Sequence, residues 1–313
     1  MTKLRIVYMG TPDFAVPCLD KLVEDGHEIL AVVTQPDRPK GRGQKLAFSP
    51  VKVAALAHNL PVLQPVKIKE AGFMEKMAAL APDVIVVVAF GQFLPKQLLE
   101  LPSLGCINVH ASLLPYYRGA APIHWAIING EATTGITTMY MDAGMDTGDS
   151  ILKAEIPIGV NETTGEVHDR LMLLGAQVLS ETLELIMQNK APRTPQDNTI
   201  ATYASLLKRE HEKINWCQPA IAIHNLVRGL NPWPGAYCLH NNNILKVWKT
   251  EIGNTMGEDV LPGRIEAVTN DAIVVQTSNK NVLLLEVQPA NKRRMTGGEY
   301  ARGYGLKPGD VII

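Results

Sequence analysis

The sequence lacks any apolar run long enough to cross a bilayer. Its longest, Val84 to Phe90, is far shorter than the roughly 20 residues that a spanning helix needs. No apolar stretch follows Met1-Thr2-Lys3-Leu4-Arg5, so no signal peptide is read there, and the chain is expected in the cytoplasm, away from membranes. Cysteine is scarce. Cys18, Cys106, Cys217 and Cys238 are scattered and form no CxxC pair, which argues for reduced thiols and against a zinc or redox site; no metal is expected. Net charge is nearly absent, with 30 Lys and Arg against 31 Asp and Glu. That balance hides a local bias. Residues 1–207 carry 17 basic and 21 acidic side chains, whereas residues 208–313 carry 13 and 10. The mildly basic tail is weak support for an anionic partner. Internal repeats and low-complexity segments are also missing.

Two catalytic signatures are absent as well. The first strand, Leu4 to Met9, runs into Gly10-Thr11-Pro12-Asp13-Phe14, which has one glycine and a proline instead of GxGxxG. A dinucleotide pyrophosphate needs those glycines for close backbone approach, so nicotinamide chemistry is disfavoured. No GxSxG occurs, and no cysteine is visibly paired with a base, so nothing supplies a covalent nucleophile.

What is present reads as two domains, as 313 residues suggest. The opening strand, a helix from Phe14 to Asp25 stopped by Gly26, and a strand from Ile29 to Thr34 form a βαβ unit, the start of a Rossmann-like, mostly parallel sheet. Helices are expected at Pro50–His58, Ala71–Leu80 and Pro95–Leu101, and strands at Val62–Leu63, Asp83–Val88 and Gly105–His110. Strands at Gly135–Met141 and Ser150–Ile156 and a long helix at Thr164–Met187 complete residues 1–189. Thr163 and Glu166 have capping-box spacing at the start of that helix. Residues 190–207, rich in proline and polar side chains, read as a linker. In residues 208–313, a helix near Ile221–Leu230 is followed by about five short strands separated by turn residues, the pattern of a small OB-like β-barrel.

Two stretches carry candidate chemistry. Along the strand Cys106-Ile107-Asn108-Val109-His110, period-two geometry puts Asn108 and His110 on one face, at the carboxyl end where open α/β sheets bind ligands. Asp146 lies 36 residues beyond His110, inside Met141-Asp142-Ala143-Gly144-Met145-Asp146-Thr147-Gly148-Asp149. An amide suits an oxyanion, an imidazole carries protons near neutral pH, and a carboxylate favours and orients an imidazolium. Convergence of the three would fit acyl transfer to a bound amine. On these residues alone, a core histidine and a turn-forming aspartate remain open readings. The second stretch, Gln35 to Leu46, contains Arg38, Lys40, Arg42 and Lys45 with two prolines and two glycines. It cannot be helix or strand over its whole length. It reads either as a solvated loop or as a basic arm that clamps phosphates.

The run from Asn108 through Ser112-Leu113-Leu114-Pro115 to Arg118-Gly119-Ala120-Ala121-Pro122 resembles the signature of formyltransferases that use 10-formyltetrahydrofolate. Met141 to Asp149 resembles that family's second signature, and the likeness continues through Met9–Phe14 and Asn231-Pro232-Trp233-Pro234-Gly235-Ala236. The resemblance implies catalytic roles for Asn108, His110 and Asp146. It implies a folate site lined by Ser112, Leu113, Leu114 and Pro115, with Phe90, Gly91 and Asp142 walling the pterin pocket. It further implies that 10-formyltetrahydrofolate is the co-substrate and that initiator methionyl-tRNA is the acceptor; a monomer is the default expectation. Arg38, Lys40, Arg42 and Lys45 would then enter the acceptor stem on its major-groove side, and Lys208 would touch the tRNA backbone. A nucleotide-sugar amine or water is the alternative acceptor, and neither has an evident need for the basic arm. A non-catalytic RNA-binding protein would need none of the three candidate catalytic side chains.

Overall fold

The computed structural model describes residues 3–40, 45–253 and 261–313. Two compact units emerge. The first holds the described residues through Gly119, Thr134–Ile156 and His168–Ala204; the second holds Ala120–Thr133, Pro157–Val167 and the described residues from Ser205 onward.

The first unit is built on a seven-stranded sheet. Its strands are β1 (Arg5–Gly10), β2 (Glu28–Val33), β5 (Val62–Leu63), β6 (Val84–Val88), β7 (Cys106–His110), β9 (Thr133–Tyr140) and β10 (Ser150–Pro157). Between β2 and β5 lies a hairpin of β3 (Arg38–Lys40) and β4 (Lys45–Ala47); β8 (Arg118–Gly119) pairs in parallel with β11 (Tyr203–Ala204). The main sheet runs β10-β9-β7-β6-β1-β2-β5. From β5 to β7 it is parallel, and β9 turns antiparallel against β7. Strands β6 and β7 are buried at every residue. Strands covered on both faces must be apolar along their whole length, as Val-Ile-Val-Val-Val is.

The helices follow their local chemistry. After β1 the chain makes a 3-10 turn, Asp13–Ala15, and becomes α-helical at α1 (Val16–Glu24), which buries Cys18, Leu19 and Leu22. Ser49 caps α2 (Pro50–Ala57) by accepting the Lys52 N–H, with proline in the first turn where no N–H is missed. Then come α3 (Ala71–Leu80), the four-residue α4 (Lys96–Leu99), α5 (Pro122–Ile128) and α6 (Thr164–Met187). The capping box at the start of α6 forms. Glu166 accepts from the Thr163 N–H and hydroxyl, and these bonds hold its carboxyl below the usual range. Cys18, Cys106 and Cys238 are free and buried, and burial pushes each thiol up to about 12, where a thiolate is not available.

The segment read as a linker is not merely a spacer. Residues 194–204 are hydrogen-bonded into the first unit: Ser150 and Thr194 exchange backbone bonds, Tyr117 N donates to the Thr202 hydroxyl, and β11 pairs with β8. The arm also differs from a plain loop, because Arg38, Pro39 and Lys40 pair with Ala47, Leu46 and Lys45.

The second unit pairs β12 (Ala236–His240), β13 (Asn243–Ile252), β14 (Ile265–Val268), β15 (Ile273–Gln276), β16 (Asn281–Pro289) and β17 (Met295–Thr296) in one sheet, ordered β12-β13-β16-β15-β14 with β17 on β16. Helix α7 (Ala220–Gly229) packs Ile223 and Val227 into a core with Val247, Val275 and Leu284. Between the two sheet ends, the last residues complete the ring. Ile312 N and Ile265 N bond across to Gly263 O and Asp310 O, while Ile313 and Leu239 exchange bonds. The barrel expected from sequence thus closes through the chain's end. A further helix, α8 (Gly297–Tyr304), was not expected; its signal was the capping box of Thr296 and Glu299.

One buried histidine gives this unit a pH dependence. His224 Nδ1 meets the Thr250 hydroxyl at 3.0 Å and Nε2 meets Val160 O at 3.2 Å. Burial, aided by the Arg228 charge, lowers its pKa below the ordinary value near 6.5. Folding therefore favours the neutral ring. Its contribution is fully present above about pH 6.5 and is lost as pH falls toward the depressed folded value. Urea unfolding at pH 7.5 and 5.5 should show lower stability at 5.5, and His224→Gln should flatten that difference.

Candidate active site

Strand β7 ends at the carboxyl edge of the sheet with Asn108 8% and His110 6% exposed. Both face the loop after β9, as their shared strand face requires. Asn108 Nδ2 donates to Asp146 Oδ1 at 3.4 Å, and His110 Nδ1 lies 3.7 Å from Asp146 Oδ2. The three side chains expected to act together converge.

The imidazole is oriented from its other side. His110 Nε2 is 3.0 Å from Tyr117 O. A carbonyl can only accept, so Nε2 carries the proton of the neutral ring and Nδ1 keeps the lone pair. Nδ1 therefore faces a carboxylate, an arrangement that is attractive once Nδ1 is protonated. The 3.7 Å gap is longer than a hydrogen bond, and such contacts commonly tighten when substrate binds.

Asp146 sits in the left-handed region, φ 53°. A non-glycine residue there costs on the order of 1–3 kcal/mol and persists only when its surroundings hold it. Here the carboxylate accepts the Gly119 N–H at 2.8 Å, and the Asp146 carbonyl accepts Gln196 Nε2 at 2.9 Å. Two glycines permit this closeness. Gly119 has φ 117°, and a Cβ on it would fall 2.7 Å from Ala204 O; a Cβ on Gly148 would fall 1.8 Å from Tyr140 O. Asp142 shapes the same loop, its Oδ1 accepting Gly144 N–H and the Thr147 hydroxyl. Its side chain, expected to wall the pterin pocket, is thus engaged within its own loop.

The Ser112–Pro115 loop is largely self-contained. The Ser112 hydroxyl donates to Tyr116 O, and Thr137 Oγ1 bridges Ser112 O and Leu114 N. Ser112, Leu114 and Pro115 are buried, Leu113 is half-buried, and the Leu114–Pro115 bond is cis. Just past the end of β6, Phe90 is buried and Gly91 is exposed; Met141, at the start of the loop bearing Asp142, packs on the same hydrophobic cluster as Phe90. The Phe90 carbonyl accepts the Thr11 hydroxyl and Gln35 Nε2. Beside it opens a cavity of about 500 Å³, lined among others by Thr11, Gln35, Arg38, Phe48 and Gly91. The space borders both the end of β6 and the base of the arm.

Around that cavity the base of the arm is locked. Lys52 Nζ binds Asp37 Oδ2 at 2.5 Å and Gln64 Oε1 at 2.8 Å, and the Thr34 and Ser49 hydroxyls pair at 2.7 Å. Arg38 is exposed on β3; Lys40 and Lys45 stand opposite one another across the hairpin; Arg42 lies outside the described residues. In the second unit, Lys208 is exposed beside Glu210, 3.8 Å away. Among the described residues no group of three or more His, Cys, Asp and Glu side chains could hold a metal ion.

Sequence reasoning missed Gln196. Arg118 was quoted in the resemblance but had no assigned role. Arg118, 1% exposed, donates Nε and Nη2 to Gln196 Oε1 at 3.1 and 2.8 Å. No local pattern marks a glutamine between a proline and an aspartate as part of a site.

Comparison with known proteins identifies the family. Residues 3–183 match the formyl transferase family model, and residues 206–305 match the model of the formyl transferase C-terminal domain. Methionyl-tRNA formyltransferase of Clostridioides difficile is 54% identical over 310 residues, covering 99% of this chain and all of that protein. The Geobacter sulfurreducens protein of the same name is 49% identical, covering 99% and 96%. An N-formyltransferase from Helicobacter canadensis, solved with folinic acid and dTDP-3-aminofucose, shares the fold at TM-score 0.67 and 19% identity, covering 90% of this chain and 99% of that one. With both of its domain models matched, the chain belongs to the formyl transferase family.

Proposed function

We propose that this chain transfers the formyl group of 10-formyltetrahydrofolate to the free α-amino group of initiator methionyl-tRNA, giving N-formylmethionyl-tRNA for translation initiation. The observation that carries the chemistry is the convergence of Asn108 and His110 on Asp146 at the end of β7. The acceptor is supported by relatives about half identical over nearly the whole chain.

The bound co-substrate supplies an electrophilic formyl carbon. The methionyl amine attacks it, the bond from that carbon to N10 breaks, the amine gives up a proton and N10 gains one. Asn108 has a second amide hydrogen beyond the one aimed at Asp146, and this can meet the oxyanion that develops on the formyl oxygen. His110, protonated at Nδ1, adds positive charge to the same place, and Asp146 holds that proton in line. On this reading Asp146, through a water, also takes up the departing amine proton. Ser112–Pro115, Phe90, Gly91 and the Asp142 loop bound the folate on this reading, and Thr137 keeps the Ser112–Pro115 loop in place.

Arg38, Lys40, Arg42 and Lys45 are assigned to the tRNA acceptor stem and Lys208 to its backbone. The hairpin pairing and the lock at Asp37, Lys52 and Gln64 support a presented arm over a slack loop. A monomer suffices, because one chain carries the whole candidate triad, and the reaction is placed in the cytoplasm, where translation starts. Among the described residues no helix is long and apolar enough to cross a membrane.

The test is transfer of radiolabelled formyl from 10-formyltetrahydrofolate, with charged initiator tRNA, an amino-sugar nucleotide and water as competing acceptors. Label in methionyl-tRNA alone is expected, and preferential label in the nucleotide sugar would overturn the acceptor. In the same assay Arg42→Ala should raise KM for tRNA about tenfold and leave folate affinity unchanged, and tRNA affinity should fall with salt as counterion release requires. A loss of folate affinity would show the arm misassigned.

A further inference from the structure

Gln196 lies in the stretch that joins the end of α6 to β11, far in sequence from either signature, yet it touches the candidate catalytic loop. Its Nε2 donates to two carbonyls of that loop, Asp146 O at 2.9 Å and Gly148 O at 2.7 Å. Its Oε1 accepts both Nε and Nη2 of Arg118. The amide is therefore fully oriented. The guanidinium can only donate, so it fixes which end of Gln196 is oxygen and turns the NH₂ toward the loop. The loop needs such a hold, because Asp146 is left-handed and Gly148 packs against the Tyr140 carbonyl. Arg118 also opens the two-residue strand that carries Gly119, whose N–H binds the Asp146 carboxylate. Arg118, buried, thus braces the loop through Gln196, and its neighbour in sequence, Gly119, binds the Asp146 carboxylate.

We propose that Gln196, braced by Arg118, is a positioning residue for formyl transfer: it holds the Asp146 loop so that the carboxylate faces His110 Nδ1. The inference rests on the reading of Asp146 as a catalytic group. Gln196 itself touches no reacting atom. Its effect runs through the placement of a carboxylate, so it alters the rate and the ionisation of the site more than the binding of either substrate.

The experiment compares three full-length variants with the unaltered chain. Gln196→Met keeps the length and removes both functions. Gln196→Glu keeps an acceptor for Arg118 and removes both donors. Asp146→Ala serves as the reference for the catalytic reading. The readouts are kcat, both KM values, the pH–rate profile and the melting temperature, with assays run well below melting. Both Gln196 variants are expected to lose kcat by about 10- to 100-fold with each KM within about threefold. Their alkaline limb should move to lower pH, because a displaced carboxylate no longer favours the imidazolium. A purely structural role would lower the melting temperature and leave that limb in place, which would overturn the proposal. Normal kcat in both Gln196 variants with an inactive Asp146→Ala would overturn it and leave the catalytic reading intact. Normal kcat in Gln196→Glu alone would show that the donors to the loop are not what matters, and would also overturn it. Full activity of Asp146→Ala would overturn the catalytic reading and this proposal together.

Discussion

Asp146→Ala is expected to lower kcat for formyl transfer by about 10³-fold or more while leaving tRNA affinity within about twofold. The size of the effect follows from how much converges on one carboxylate. It faces His110 Nδ1, accepts the Gly119 N–H and receives the Asn108 amide. Removing it deletes the partner of the imidazolium and frees the two donors that hold the site closed. Asp146→Asn separates charge from shape. An amide oxygen can still accept from Gly119, but it favours the imidazolium far less, so this variant should be nearly as slow as the alanine. Single-turnover formyl transfer measures the chemical step, and filter binding measures the tRNA complex. A fully active alanine variant would remove Asp146 from the chemistry.

Asn108→Ala should cost about 10²- to 10³-fold in kcat, the usual loss when one oxyanion donor is removed, with little change in either KM. The geometry leaves two ways for Asn108 to act. One amide hydrogen points at Asp146 Oδ1, and the other, without a partner among the described residues, is available to the formyl oxygen. A double-mutant cycle distinguishes them. If Asn108 acts directly on the oxyanion, Asn108→Ala slows the Asp146→Ala enzyme further. If it only steadies Asp146, the double variant is no slower than Asp146→Ala alone, and the oxyanion role fails.

Much of the architecture is legible in local sequence. The strand expected at Asp83–Val88 and found at Val84–Val88, the βαβ opening and the capping box at Thr163 and Glu166 are local patterns, and each is present. Local periodicity does not encode the short pairings between distant segments. The union of β8 with β11 and the antiparallel turn of β9 against β7 depend on which segments meet in space. Helix α8 was overlooked because Gly297 and Gly298 weaken its propensity, although Thr296 and Glu299 cap it.

The site divides in the same way. By itself, the sequence determined the strand that places Asn108 and His110 on one face, because side chains alternate along any strand. Its two signatures determined the family, and its composition marked the arm as basic. Only the tertiary structure decided that Asp146 meets both of those side chains. It also decided that the Tyr117 carbonyl sets the His110 tautomer, and that Arg118 and Gln196 brace a loop remote from them in sequence. The physical reason is that hydrogen bonds act over about 3 Å of space and are indifferent to chain separation. A glutamine 50 residues from its acceptor carries no local trace of that bond.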